Sequence, residues 1–291
     1  MVLSELLALL GAFFFGLGLV LVRRGLEESN FLSATVITNL IGTIVFCILS
    51  LLLVPLNSVN PVGIVFFALA GLFVGFTMLI YFKGMEMLGA SMNASIFATN
   101  PLFSSLLAVF MLGERPSLGI WAGMICIICG IILIQRNTHG TSVNSASQTR
   151  IGLALPLSSA LFSGFGSILR KMGLNAYNEP IAGVAIAYMA SLCLYTLLSG
   201  LSTTMRRSMS VSRQSLQLFW KPGLILCVGY LCFYYALRYG DVSLVVPLMN
   251  IEPFFVFIFA YILIRELEKI THKLIIGTLI IVTGVSLITI F

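Results

Sequence analysis

The sequence predicts an all-α integral membrane protein: ten transmembrane helices arranged as two inverted five-helix repeats. Three observations carry this expectation. They are an extreme apolar composition, ten apolar runs of spanning length, and a set of residues that recurs at a nearly constant offset. Charged residues make up 9% of the 291 and hydrophobic residues 59%, where an average soluble protein is about 25% charged. Mean hydropathy is +1.09. A globule of this size has too little interior to hide so much apolar surface, so lipid must solvate most of it. That excludes a soluble enzyme, a secreted disulfide scaffold and a disordered chain. The net charge of +6 is not a nucleic-acid footprint, because the Lys and Arg fall almost entirely between apolar runs, where basic residues hold membrane topology.

A membrane-spanning helix needs about 20 mostly apolar residues. Cut at turn and charge signals, the runs are 3–22, 31–54, 62–82, 90–112, 118–134, 151–169, 181–200, 218–237, 242–264 and 274–291. The first lacks a basic start, holds Glu5, and is followed by Arg23 and Arg24 without a small-residue cleavage site, so it is expected to remain as a span and not to act as a signal peptide. Short connections make neighbouring spans antiparallel. Residues 135–150 are rich in Ser, Thr and Asn and read as a polar linker. Residues 202–217 carry Arg206, Arg207 and Arg213 and read as a basic loop. All six cysteines lie inside apolar runs. Cys126 and Cys129 share one helix face, but no histidine or second pair accompanies them, so they are expected to pack as small hydrophobes.

Internal repetition sets the architecture. Gly16-x-Gly18 and Gly25-Leu26 recur as Gly164-x-Gly166 and Gly173-Leu174, an offset of 148. Ser91, Pro101 and Glu114 recur as Ser243, Pro253 and Glu266, an offset of 152, and Gly123 and Gly130 recur as Gly277 and Gly284, an offset of 154. The slow drift fits two copies with small loop insertions. Residues 1–137 form the first five-helix repeat, 138–150 the linker and 151–291 the second repeat. Five is odd, so the second copy enters the membrane from the opposite side, as in many transporters.

The ends of the two halves resemble the EamA family of the drug/metabolite transporter superfamily. In the first half the carrying residues are Pro101-Leu102, Leu112-Gly113-Glu114-Arg115, Gly123 and Gly130-Ile131-Ile132. In the second they are Tyr235-Ala236-Leu237-Arg238-Tyr239-Gly240, Glu252-Pro253, Arg265-Glu266-Leu267, Gly277 and Gly284-Val285. Arg265 departs from the pattern, standing where the first half has Gly113. The resemblance implies ten helices and the export or exchange of small metabolites. It says little about which metabolite.

Polar atoms are costly in hydrocarbon, so their positions mark candidate sites. Glu252 is the only acidic residue near the centre of a span, and its repeat equivalent is Asn100. Each precedes a proline. Pro101, Pro247 and Pro253 cannot donate to the carbonyls of Phe97, Ser243 and Met249, and unpaired carbonyls at depth are tolerated only against protein or a wet cavity. Both broken helices are therefore expected to face the interior, bringing Asn100 and Glu252 toward a central site. Glu252 would serve there as a cation partner or a proton-coupling carboxylate, or it could simply satisfy a broken helix. Further substrate-binding candidates are Asn39, Asn93, Thr99, Tyr188, Tyr195 and Asn250, with Tyr261 beside them. Asn250, two residues from Glu252, is expected on another helical face. Tyr234, Tyr235 and Tyr239 read as interface anchors. Glu114-Arg115 and Arg265-Glu266 lie at short connections, where a carboxylate would pair locally or cap a helix start. Gly71-x-x-x-Gly75 and Gly119-x-x-x-Gly123 allow close helix packing within the bundle and would also permit a homodimer.

Enzymatic motifs such as H-E-x-x-H and G-x-S-x-G are missing, and His139 and His272 fall in a linker and a loop. The expectation is a secondary transporter, not an enzyme, that exports an amino acid or related metabolite by alternating access without a cofactor or metal. Its partners would be the lipid bilayer, the small-molecule substrate and protons. The alternatives are a proton-coupled efflux carrier for lipophilic cations and a non-transport receptor or channel. Large sugar-phosphate anions are disfavoured, because no basic residue lies near a span centre. The protein is placed in the cell membrane as a multi-pass protein. One face would hold both termini with Arg115, Arg170, Lys171 and Arg238, leaving the other twelve basic residues opposite. The positive-inside rule then puts the termini outside, whereas the resemblance favours cytoplasmic termini.

Overall fold

The structure, a computed structural model, describes residues 2–55, 60–88, 93, 96–135, 146–201, 212–263 and 272–290. Its helices are α1 (Val2–Gly25), α2 (Phe31–Leu53), α3 (Pro61–Leu88), α4 (Asn100–Leu112), α5 (Leu118–Gln135), α6 (Ala146–Ala176), α7 (Pro180–Leu201), α8 (Arg213–Tyr239), α9 (Val242–Met249), α10 (Glu252–Leu263) and α11 (His272–Ile290). Among the described residues, six helices are long and apolar enough to cross a membrane: α1, α2, α3, α7, α8, and α9 with α10 taken together. Leu51, Phe110, Leu118 and Leu201 on the outer faces are each at least 78% exposed. Water would not tolerate such a surface, whereas lipid tails solvate it.

Side-chain caps begin several helices. Asn30 Oδ1 accepts from Ser33 N at the start of α2, and Ser212 Oγ accepts from Ser215 N at the start of α8. Asn60 Oδ1 accepts from Val62 N, while its Nδ2 donates to Ala176 O and ties the start of α3 to the end of α6.

Several boundaries differ from expectation, among them the ends of α3 and α6, which run on to Leu88 and Ala176 past 82 and 169. Helix α6 begins at Ala146, inside the stretch read as a linker, and α8 begins at Arg213, inside the stretch read as a loop. Polar residues extend a helix past the hydrocarbon wherever a cap such as Ser212 is available, and hydropathy does not register that. The linker residues 136–145, the loop residues 202–211, and Ser91, Arg265 and Glu266 lie outside the described residues.

The two halves pack reciprocally. Helix α1 lies against α8 and α3 against α6; α1 also touches α10, as α6 touches α4. Helix α2 packs on α7, and α5 packs on α11. Each contact therefore has its counterpart when the halves are exchanged. Residues repeat the pattern. A Cβ on Gly16 would press on Phe255, and one on Gly164 would meet Ser104 and Phe103 less tightly; one on Gly25 would press on Phe219 and one on Gly173 on Phe67. At the self-paired contact, a Cβ on Gly123 would lie 2.5 Å from Gly284 O, and one on Gly284 2.7 Å from Gly123 O. Backbones this close require glycine on both sides. Gly71 and Gly75 likewise face Ala187, Ser191 and Leu194 of α7, so these motif glycines are engaged inside the bundle.

The turn after α4 links the halves. Gly113 ends the helix with φ of 69°, and its N–H bonds Ala108 O. This left-handed cap suits glycine. It delivers Glu114 across to α9, where its two carboxylate oxygens accept from Val242 N and Ser243 N, both at 2.9 Å. The expected helix-capping role is met, with the capped helix belonging to the other half. From α6, Lys171 Nζ donates to Leu237 O and Gly240 O, both at 2.9 Å, at the end of α8.

Candidate functional site

The fourth and ninth spans, which hold Pro101 and Pro247 with Pro253, both break, whereas α6 and α8 continue through Pro156 and Pro222. The chain turns at Ala98–Thr99 before α4, and at Asn250–Ile251 between α9 and α10. Thr99 Oγ1 donates to Ile96 O, and Asn250 Nδ2 to Val246 O. Pro101 and Pro253 follow the breaks, and Pro247 lies within α9; all three are buried. The breaks meet through side chains: Asn250 Nδ2 donates to Asn100 Oδ1 at 3.2 Å, while Asn100 Nδ2 donates to Ala160 O of α6 at 2.7 Å. Asn100 thus lies where the two breaks meet, and its direct partner is Asn250.

Glu252 lines the cavity beside this contact. Asn250 lines it too, contrary to the expectation that the two would face apart. That expectation assumed an unbroken helix; the turn between α9 and α10 reorients successive residues. Tyr81 of α3 is the neighbour of Glu252. Tyr81 Oη and Glu252 Oε1 are both shielded from solvent and lie beside each other.

The cavity has two lobes. One, about 70 Å³, is lined by Phe97, Asn100, Ser163, Ser167, Asn250 and Glu252 among others. The second, about 30 Å³, is lined by Thr35, Thr38, Asn39, Tyr188, Ser191, Tyr195 and Tyr234. Val74, Met78, Arg170, Leu226 and Tyr230 border both.

Arg170 is the residue that sequence reasoning missed. It was counted as a topology charge at the end of a span, yet it is 3% exposed and borders both lobes. The apolar run stops one residue before it, but helical side chains tilt toward the N-terminus, so a long side chain there reaches back into the bundle. Its neighbour Lys171 lies on another face and caps α8 instead. The Arg170 guanidinium carbon lies 5.9, 5.0 and 5.7 Å from the ring centres of Tyr230, Phe233 and Tyr234. Burying such a charge costs roughly 2.5–3.5 kcal/mol on insertion scales. Each ring face offsets about 0.5–2 kcal/mol of that. Nη1 donates weakly to Ser167 Oγ at 3.4 Å, Nε has no partner, and no carboxylate among the described residues lies within ion-pair distance. No basic residue lies near a span centre, as the sequence reading has it, but Arg170 brings a cation to the cavity from the end of a span.

Tyr234 is likewise not an interface anchor. It is 1% exposed and faces the cavity, whereas Tyr239 is half exposed. The other candidates divide. Asn39 and Tyr188 line the second lobe, and Asn39 Oδ1 has no partner. Tyr195 lines it too, with its hydroxyl donating to Gly75 O at 3.1 Å. Asn93 and Thr99 are not among the residues lining either lobe. Asn93 Nδ2 donates to Tyr81 O, pinning the broken fourth span to α3. Tyr261 is 49% exposed on the outer surface.

Comparison with known proteins fits this geometry. A crystal structure of a protein 16% identical in sequence aligns with a TM-score of 0.78 over 99% of this chain and 96% of its own. At that identity the likeness speaks for the fold alone. No curated protein matches the sequence. The EamA-like transporter family matches residues 2–136 and again 150–290, nearly the whole chain in two copies. The chain therefore belongs to the EamA-like transporter family, and it is a multi-pass membrane protein of the drug/metabolite transporter type.

Proposed function

We propose that the protein is a secondary carrier that exports an amino acid or related small amphipathic metabolite across the cell membrane by alternating access. One observation carries the reading: an interior pocket, framed by both halves, is bordered by Arg170, which has no carboxylate at ion-pair distance among the described residues, and by the carboxyl of Glu252. Buried charges left without partners are costly and mark ligand or ion pathways. Apolar side chains make up most of the remaining wall, which suits an amphipathic compound.

The architecture assumed is ten spans in two inverted repeats, related by a pseudo-two-fold axis in the membrane plane. The reciprocal packing of α1 on α8 and α3 on α6 supports it. Rocking of one half against the other would open the cavity to each side in turn. With no nucleotide-binding motif in the sequence, an ion gradient supplies the drive, and Glu252 is the group to exchange protons. The termini lie outside by charge count. Arg170 and Lys171 are engaged within the bundle, which leaves Arg115 and Arg238 as the basic residues of that face and strengthens the bias.

The second reading, efflux of lipophilic cations, draws on Glu252 Oε1. Arg170 bordering the same cavity repels such substrates, so the amino-acid reading is preferred. Efflux from proteoliposomes loaded with a panel of amino acids and organic cations, with and without a pH gradient, tests the choice. Amino-acid efflux is expected; efflux of cations alone would reverse the order.

A further inference from the structure

We infer that Arg170 is the anion site of the cavity and takes the carboxylate of a zwitterionic substrate whose ammonium group faces Glu252. The inference rests on the carrier reading and adds the residue that recognises each end of the substrate. A guanidinium has five donors in a planar fork. Here one makes a weak contact with Ser167 Oγ at 3.4 Å, the Tyr234 hydroxyl stands beside the guanidinium as a second acceptor, and Nε makes no bond. Aromatic faces can hold the plane of a guanidinium but cannot accept its in-plane hydrogens. A group caged by Tyr230, Phe233 and Tyr234 is therefore held in place with donors to spare, as bidentate carboxylate recognition requires. Ser163, Ser167 and Arg170 recur at helical spacing along one face of α6, and all three line the same lobe.

The choice of a zwitterion follows from charge. Among the described residues that line the two lobes, Arg170 is the one basic residue and Glu252 the one acidic residue. A phosphate dianion would meet a single cation and an opposing carboxylate. An organic cation would meet the reverse. A compound with one carboxylate and one ammonium leaves no charge uncompensated. Phe15, Leu19, Met78, Leu226 and Met249 complete the wall and call for an apolar body between or beside the charges.

The test uses purified full-length protein in detergent, with thermal stabilisation measured for the apolar L-amino acids, each beside its primary amide. Wild type should bind at least one acid more tightly than its amide by about tenfold or more, since charge-assisted bonds are about twice as strong as neutral ones. R170Q should flatten that ratio to about twofold or less, and R170K should keep part of it because a point charge remains. A purely structural arginine would change stability without changing the acid-to-amide ratio. Monodisperse R170Q that keeps the full preference, or wild type that prefers no acid over its amide, overturns the assignment. In proteoliposomes, transport of a compound lacking a carboxylate, equally fast in wild type and R170Q, would also overturn it while leaving the carrier reading standing. The carrier reading itself falls only if no acid, amide or amine crosses with wild type.

Discussion

Replacing Glu114 with alanine should loosen the start of α9 and, with it, the joint between the halves. The carboxylate accepts two backbone bonds of 2.9 Å, from Val242 N and Ser243 N. Asp241 holds the N-cap position of that helix but makes no side-chain cap bond, so Glu114 from the other half supplies the function. Losing an N-cap costs about 0.5–2 kcal/mol. Removing the negative charge from the positive end of the helix adds about 0.3–1 kcal/mol. The sum, about 1–3 kcal/mol, corresponds to roughly 5- to 150-fold in a local opening equilibrium. Hydrogen exchange followed by mass spectrometry should show faster exchange at Val242 and Ser243 by a factor in that range, with a lower unfolding temperature in detergent. Glu114→Gln should fall between alanine and wild type, because the carboxamide keeps one accepting oxygen. Unchanged exchange at both amides in Glu114→Ala would refute the capping argument.

Other consequences follow from the same geometry. Asn250→Leu leaves Asn100 Oδ1 buried without its donor; thermal unfolding should register a loss of about 1–3 kcal/mol. Lys171→Met removes two bonds to the carbonyl end of α8, and a loss of about 1–2 kcal/mol is expected in the same assay. Glu252→Gln should insert and fold yet abolish transport or uncouple it from the pH gradient; normal transport across a range of pH would make Glu252 structural. In a background without native cysteines, an impermeant thiol reagent applied to intact cells should label Phe291→Cys and leave Ser142→Cys protected. The opposite pattern would invert the proposed orientation.

The apolar runs and the offsets of 148 to 154 were legible in the sequence because lipid demands long apolar helices and duplication leaves glycines where backbones touch. The prolines marked the helix breaks, and Glu114 was readable as a cap. What the breaks did to direction was not readable: helical periodicity predicts the face of Asn250 only while the helix continues. Arg170 and Tyr234 were hidden for a different reason. Both stand near the ends of apolar runs, where arginine and tyrosine ordinarily serve topology and interface anchoring. Only packing shows that their side chains turn inward and meet each other.

The claim of a single site exposed alternately to each side is tested most directly by counterflow. Proteoliposomes are loaded with an unlabelled apolar amino acid at high concentration and diluted into a trace of the labelled compound, with no ion gradient. The account predicts that label accumulates transiently above its equilibrium level, because a carrier returning with inner substrate must reload outside. Label that rises only to equilibrium, with no overshoot at any internal concentration, would mean a continuous pore and contradict it.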